Sequence, residues 1–434
     1  MRPMRTATAV ATAALVLVPG LGYGASAHTV RISRTSSGGP INGPSTTGGS
    51  SISADGRFVA FQAEANGVVP GDTNMCPTGG TPPALPCADV FVADRQSGTI
   101  EMESVSSSGE QGQLWSRLGG LSADGRLVVF DSPSGNLVAG DTNGRGDIFV
   151  RDRATGVTSR ITDVPSVQYR DATDSRISAD GRVVAYTIYD GNTVTSEVYA
   201  YDLTTGHTVL VSATPGGTPA GALSQEPEIS GDGRFVAFSS DAANLVAGDH
   251  NGHTDIFVRD LLTNKTRLVS LDTLDRQFDS DALYPSISAD GKVVAFVGGT
   301  NTFVRLLASG RTELVSVNLL GLPAGPSRQP TALSADGRYV LFGSLAGYLV
   351  KGDPLLSFFT GEKYLHVYVR DRVARKTVRV SVDNDGVRAN QSSFVGAISA
   401  TGKVVAFSTA ATNLDSTDTN GDLDVYLRLL RGQK

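Results

Sequence analysis

The sequence predicts an all-β protein: a single seven-bladed β-propeller of four-stranded antiparallel blades, with the ring closed by the N-terminal strand. Three observations predict it. A hairpin signature returns seven times, a third and often a recognisable fourth strand follow it, and a spare fourth-strand segment stands ahead of the first hairpin while the last copy stops after its third strand.

Residues 1–27 carry Arg2 and Arg5, an apolar run from Ala7 to about Pro19, and Ala25-Ser26-Ala27, the order of a secretory signal with a small-residue cleavage site. Cleavage after Ala27 leaves residues 28–434 as the propeller. The apolar run is short for a membrane span, and no later segment approaches the roughly 20 apolar residues a span needs, so the protein is expected outside the cell or in its envelope. Losing two arginines moves the net charge from -6 to -8, which argues against nucleic acid as a partner. Cys76 and Cys87 are the only cysteines, and in an exported chain a disulfide between them is expected.

Residues 29–34, TVRISR, follow the fourth-strand pattern and are expected to complete the seventh blade, leaving no blade with an unpaired edge. The hairpins read ISADGRFVAF (52–61), LSADGRLVVF (121–130), ISADGRVVAY (177–186), ISGDGRFVAF (229–238), ISADGKVVAF (287–296), LSADGRYVLF (333–342) and ISATGKVVAF (398–407). In each, an Asp-Gly or Thr-Gly pair separates two apolar runs, and glycine accepts the positive φ of a tight turn. Third strands follow at 89–95, 147–153, 197–203, 255–261, 302–308, 366–372 and 424–430, and fourth strands such as TVLVSA (208–213), TRLVSL (266–271), TELVSV (312–317) and TVRVSV (377–382).

These hairpins resemble the TolB-type, WD-repeat-like propeller family, whose repeats carry a Ser-x-Asp-Gly-Lys/Arg turn before an aliphatic-aromatic strand. The resemblance implies the fold over residues 28–434 and leaves the function open, since such repeats serve as translocation accessories, peptidase propellers and lyases. The peptidase form needs an α/β-hydrolase domain, and no Gly-x-Ser-x-Gly elbow occurs here.

Three loops between second and third strands share Asp-x-Asn-Gly-x-x-Asp: NLVAGDTNGRGDIFV (136–150), NLVAGDHNGHTDIFV (244–258) and NLDSTDTNGDLDVYL (413–427). Oxygen-bearing side chains at alternate positions around a glycine turn suit calcium. The expected ligands are Asp141, Asn143 and Asp147; Asp249, Asn251 and Asp255; and Asp418, Asn420, Asp422 and Asp424. The competing reading is a plain tight loop, because Asp and Asn bond their own backbone in turns. The first blade starts the same way at Asp72-Thr73-Asn74, but 14 residues separate Asn74 from Asp89.

The five histidines form neither a triad nor a metal spacing, so no catalytic residue is assigned. Where blade connections enter the inner strands, the chain places Trp115, Arg117, Asp174, Arg176, Glu226, Glu228, Tyr284, Arg328 and Phe394. The first eight are expected to form a ligand-binding funnel; alternatively, the rings pack between blades and the charges are solvated. Glu226 and Glu228, two apart on one strand, have the form of an acid/base pair. The expected function is a secreted, monomeric binding or scaffold module for a protein, peptide or glycan, with calcium-stabilised loops. The alternatives are an extracellular lyase or glycosidase using the funnel, or an envelope transport accessory.

Overall fold

The computed structural model describes residues 27–77, 85–162, 170–327, 329–353 and 363–430. The expected signal segment up to Ser26 and Arg328 of the funnel lie outside these residues. No helix among the described residues is long and apolar enough to cross a membrane.

Seven four-stranded sheets form the ring. Blade 1 spans residues 45–102, blade 2 117–160, blade 3 170–210, blade 4 224–268, blade 5 282–314, blade 6 332–379, and blade 7 393–429 together with 28–31. The closing strand, His28–Arg31, pairs antiparallel with Asp424–Leu429, His28 opposite Leu429 and Arg31 opposite Tyr426. It stops short of the expected residue 34 because Ser33 turns inward: its hydroxyl donates to Asp424 Oδ1 (2.5 Å) and accepts the Val425 N–H (2.9 Å).

That bracket recurs in every blade. A residue at or near the start of each third strand accepts a Ser or Thr hydroxyl from two residues beyond the outer strand: Asp89 from Ser104, Asp147 from Thr162, Glu197 from Ser212, Asp255 from Ser270, and Asn301 from Ser316, with His366 Nδ1 3.3 Å from Ser381 Oγ. The same hydroxyl takes the next backbone N–H, as Thr162 does from Ile148 (2.9 Å). Pairing ends there, so the outer strands are shorter than the sequence suggests, Lys265–Leu268 and Lys376–Arg379 for instance.

The core lies between blades. Seven apolar clusters occupy the seven blade junctions, because alternate residues of the second and third strands face opposite neighbours. Each blade also stacks an aromatic pair across these strands, from Phe61 on Phe91 (5.5 Å between ring centres) to Phe407 on Tyr426 (6.0 Å).

The hairpin turns explain the repeat. Ser122 Oγ donates to Asp124 (2.6 Å), Asp124 accepts the Arg126 N–H, and the Arg126 guanidinium reaches Asp152 at the end of the third strand (2.7 Å). Arg57 with Asp94, Arg234 with Asp260 and Arg338 with Asp371 repeat the last contact. Glycine is required at these turns by conformation and by contact: Gly291 has φ +67°, and a Cβ there would lie 2.2 Å from Phe235 of the preceding blade.

Candidate functional site

The inner strands line a central channel. At its hairpin end it is apolar: Ile52, Leu121, Ile177, Ile229, Ile287, Leu333 and Ile398 surround a cavity of about 130 Å³, with Ala54, Ala123, Ala179, Gly231, Ala289, Ala335 and Ala400 beyond them. Here the backbone links blade to blade, Ala54 N to Ala123 O (2.8 Å), Ala123 N to Ala179 O (3.0 Å), Asp180 N to Gly231 O (3.0 Å), and so on to Ala335 N with Ala400 O (3.0 Å).

Toward the other end the channel carries a cluster of charged side chains over blades 2 to 5. The inner strands of blades 3, 4 and 5 slip register just before the apolar ring, between Thr173 and Arg176, Gln225 and Glu228, and Leu283 and Ser286, as those of blades 2 and 7 do between Leu118 and Gly120 and between Val395 and Ile398. Such bulges redirect side chains. In blades 3, 4 and 5 a non-glycine residue with positive φ sits at the same step of the slip: Asp174 (53°), Glu226 (55°) and Tyr284 (58°). For a residue as bulky as tyrosine this conformation is an outlier, costing on the order of 1–3 kcal/mol.

One step closer to the ring, Arg176 Nε meets Glu228 Oε1 at 2.8 Å, joining blades 3 and 4. Arg176 Nη1 also donates to the carbonyls of Ser175 (2.8 Å) and Gly119 (3.3 Å), so the guanidinium spans three blades. Burial pushes the Glu228 carboxyl upward and Arg176 opposes it. Glu226 Oε2 accepts the Tyr284 N–H (3.0 Å) and the Ser239 hydroxyl (3.3 Å); burial raises its carboxyl too, these donors hold it back, and the nearby Asp174 adds to the rise.

Asp131, absent from the sequence reading, completes the group. It lies opposite Arg117 across the blade 2 hairpin, is 2% exposed, and its Oδ2 has no hydrogen-bond partner. Burial pushes its carboxyl up to about 7, with Arg117 and Arg176 opposing and Asp174 adding repulsion. Arg117 itself lies over the Trp115 ring, 4.4 Å from its centre.

The structure therefore brings Arg117, Asp174, Arg176, Glu226, Glu228 and Tyr284 into one sector over blades 2 to 5, with Trp115 under Arg117. Phe394, in blade 7, is 39% exposed. Glu226 and Glu228 are two apart in sequence but differently engaged, since the bulge separates them and Glu228 is held by Arg176.

The acidic loops are also in place. Asp141 and Asp147 face Arg160, whose Nη1 is 2.9 Å and 3.4 Å from them, and Asn143 donates to Asp147 (2.8 Å). Asn251 donates to the Phe278 carbonyl (3.2 Å) and Asn420 to that of Ile41 (2.9 Å), each staying half-buried or exposed. The Asp422 N–H donates to Asn420. Among the described residues no group of three or more His, Cys, Asp or Glu side chains has the arrangement of a metal site. Cys76 and Cys87 form a disulfide beside a two-residue hairpin, Met75–Cys76 against Leu85–Pro86.

No family model and no curated protein matches the chain. Among solved structures, an oligogalacturonate lyase in complex with manganese is similar over 93% of this chain and 93% of its own, at 13% identity and a TM-score of 0.57. The oligogalacturonate lyase of Vibrio parahaemolyticus covers 92% and 93%, at 11% identity and 0.56. The likeness is one of fold. TolB from Acinetobacter baumannii, whose family the hairpins resemble, is matched over 67% of this chain and 59% of its own, at 16% identity and 0.41.

Proposed function

We propose that the protein is an exported binding module that holds a glycan or peptide segment over blades 2 to 5 at the polar end of the channel. The observation that carries this reading is the strain repeated at Asp174, Glu226 and Tyr284: three non-glycine residues at one step of adjacent blades hold positive φ beside a cross-blade ion pair. Backbone strain of this kind persists where a site is preorganised. Arg117 over Trp115 adds a charged edge above an aromatic face, suited to a sugar ring or a peptide plane. The Cys76–Cys87 disulfide supports an oxidising location outside the cytoplasm.

The test is a Tyr284→Gly variant. Glycine relieves the φ, so its melting temperature should equal or exceed that of the native protein, while retention on glycan and peptide arrays should fall at least tenfold. Equal retention by both proteins, or none by the native protein, rejects the reading.

A second reading, a carbohydrate-active enzyme, is favoured by Asp131 and Glu226, whose burial keeps a proton available nearer neutral pH than an ordinary carboxyl. The fold neighbours named as oligogalacturonate lyases make oligogalacturonate the natural probe. Unsaturated products that vanish in Asp131→Asn and Glu226→Gln would select this reading.

A further inference from the structure

In every blade a third-strand aromatic lies opposite one outer-strand residue, and in blades 2, 6 and 7 acids of the loop between second and third strands reach that pair. The pairs are Phe91 with Met102, Phe149 with Arg160, Tyr199 with Leu210, Phe257 with Leu268, Phe303 with Leu314, Tyr368 with Arg379 and Tyr426 with Arg31. Where the outer residue is arginine, it neutralises the acids above it. Arg160 is 2.9 Å from Asp141; Arg379 is 2.6 Å from Asp353; Arg31 is 3.4 Å from both Asp424 and Asp415, while the Tyr426 hydroxyl donates to Asp418 (3.0 Å).

Two acidic loops lack the arginine, and they differ. In blade 1 all four carboxylate oxygens have donors: Asp72 takes the Gln111 amide (3.0 Å) and the Val68 N–H (3.0 Å), and Asp89 takes the Ser104 hydroxyl (2.6 Å) and the same Gln111 amide (3.0 Å). In blade 4, Phe257 and Leu268 offer no polar atom, and Leu268 packs against the core. Asp255 is fully buried; one oxygen accepts the Ser270 hydroxyl and the other, Oδ2, has no partner. Asp249, 5% exposed, has the Gln277 amide at 3.5 Å and the Asn251 N–H as its donors, and it repels Asp255, whose carboxyl the Asn251 side chain also helps to hold down. His250 and His253 are the nearest cations when protonated, and His253 is already turned to Asp281 (3.4 Å). Burial pushes both carboxyls upward, so the pair is neutralised either by a proton or by a bound cation, and at pH 7.5 the cation has the advantage of serving both at once.

We infer that the blade 4 loop binds one calcium ion, with Asp249 and Asp255 supplying the charge and Asn251 Oδ1, which also accepts the His253 N–H (3.1 Å), supplying a neutral oxygen; the Gln277 amide, whose oxygen accepts the His250 N–H (3.2 Å) and whose nitrogen faces Asp249, turns over to supply another. Leu268 selects the site: an arginine there would do the ion's work, as Arg160 does in blade 2. Calcium fits because all the donors are oxygens and the loop geometry is irregular.

Native mass spectrometry and calorimetry at about 1 mM Ca²⁺, the weak end for extracellular modules, test this on the purified protein at pH 7.5. The expected result is one calcium per chain and a melting temperature about 1–3 °C above that in chelator. Leu268→Arg should abolish uptake without lowering the melting temperature in chelator, and Arg160→Leu should add a second equivalent. Asp249→Asn, checked for native circular dichroism, should also abolish uptake and decides the matter if Leu268→Arg does not fold. No uptake by the native protein, or one equivalent retained in both Asp249→Asn and Leu268→Arg, overturns the assignment.

Discussion

Replacing Ser33 by alanine should open the ring at its only chain-end junction. Ser33 and Asp424 are both fully buried, and the Ser33 hydroxyl serves two groups at once, the Asp424 carboxylate and the Val425 N–H. Deleting it leaves both without that partner. At about 1–3 kcal/mol for each unsatisfied buried group, and allowing for relaxation, the loss should be roughly 2–5 kcal/mol, a large part of a domain's usual 5–15 kcal/mol. Ser104→Ala removes the same bracket inside blade 1, where it spans 15 residues of sequence and not the 391 spanned by the Ser33 contact. Both variants should therefore lose similar equilibrium stability in urea followed by circular dichroism. Only Ser33→Ala should also sharply accelerate unfolding, because it frees a strand that holds blade 7 together. A loss below about 0.5 kcal/mol for Ser33→Ala beside a normal loss for Ser104→Ala would refute the closure.

Two further outcomes follow from the same structure. Because the Asp131 carboxyl is pushed to about 7 in the fold, above its ordinary 3.8, its contribution to stability is present at low pH and is lost as pH rises through about 7; Asp131→Asn should flatten that slope and be the more stable protein at pH 8, by at most about 4 kcal/mol, in melts across pH 5–8. Gly291→Ala should cost roughly 2–4 kcal/mol, since the new methyl meets Phe235 at 2.2 Å, whereas Gly140→Ala, at φ +82° with open space around it, should cost only about 1–2 kcal/mol in the same denaturation assay.

The architecture was legible because its determinants are local. An Asp-Gly turn with its Ser, Asp and Arg partners lies within six residues, so each hairpin announces itself, and the aromatic that stacks on the third strand follows at a fixed distance. The closing strand was legible by elimination, as the one fourth strand without a blade. The site was legible only in part. Arg176 and Glu228 sit on the strands that line the channel, so counting back from the hairpin found them. Asp131 did not stand out, because in FDSPSG it reads as a strand-ending turn former, and its burial arises from blade 3, far along the chain. The arginines beneath the acidic loops were missed for a different reason. The loop motif alone suggests three equivalent ion sites, and the neutralising charge lies 11 residues beyond each third-strand aromatic, as from Phe149 to Arg160, or at the opposite chain end in Arg31. That spacing, read across the repeats, is the signal that separates blade 4 from blades 2 and 7.

The blade-to-blade amides at the hairpin end have an electrical consequence. Each points along the circumference toward the next blade, from Ala54 round to Ala400. Peptide dipoles laid head to tail along a straight axis add, as they do in a helix; laid round a circle, they cancel almost completely. Six such links run from blade 1 to blade 7, stiffening the narrow end while their dipoles largely cancel. Among the described residues the charges that face the channel sit on blades 2 to 5, so a preference for the sign of a guest's charge can be rewritten there without touching the amide links of the hairpin end.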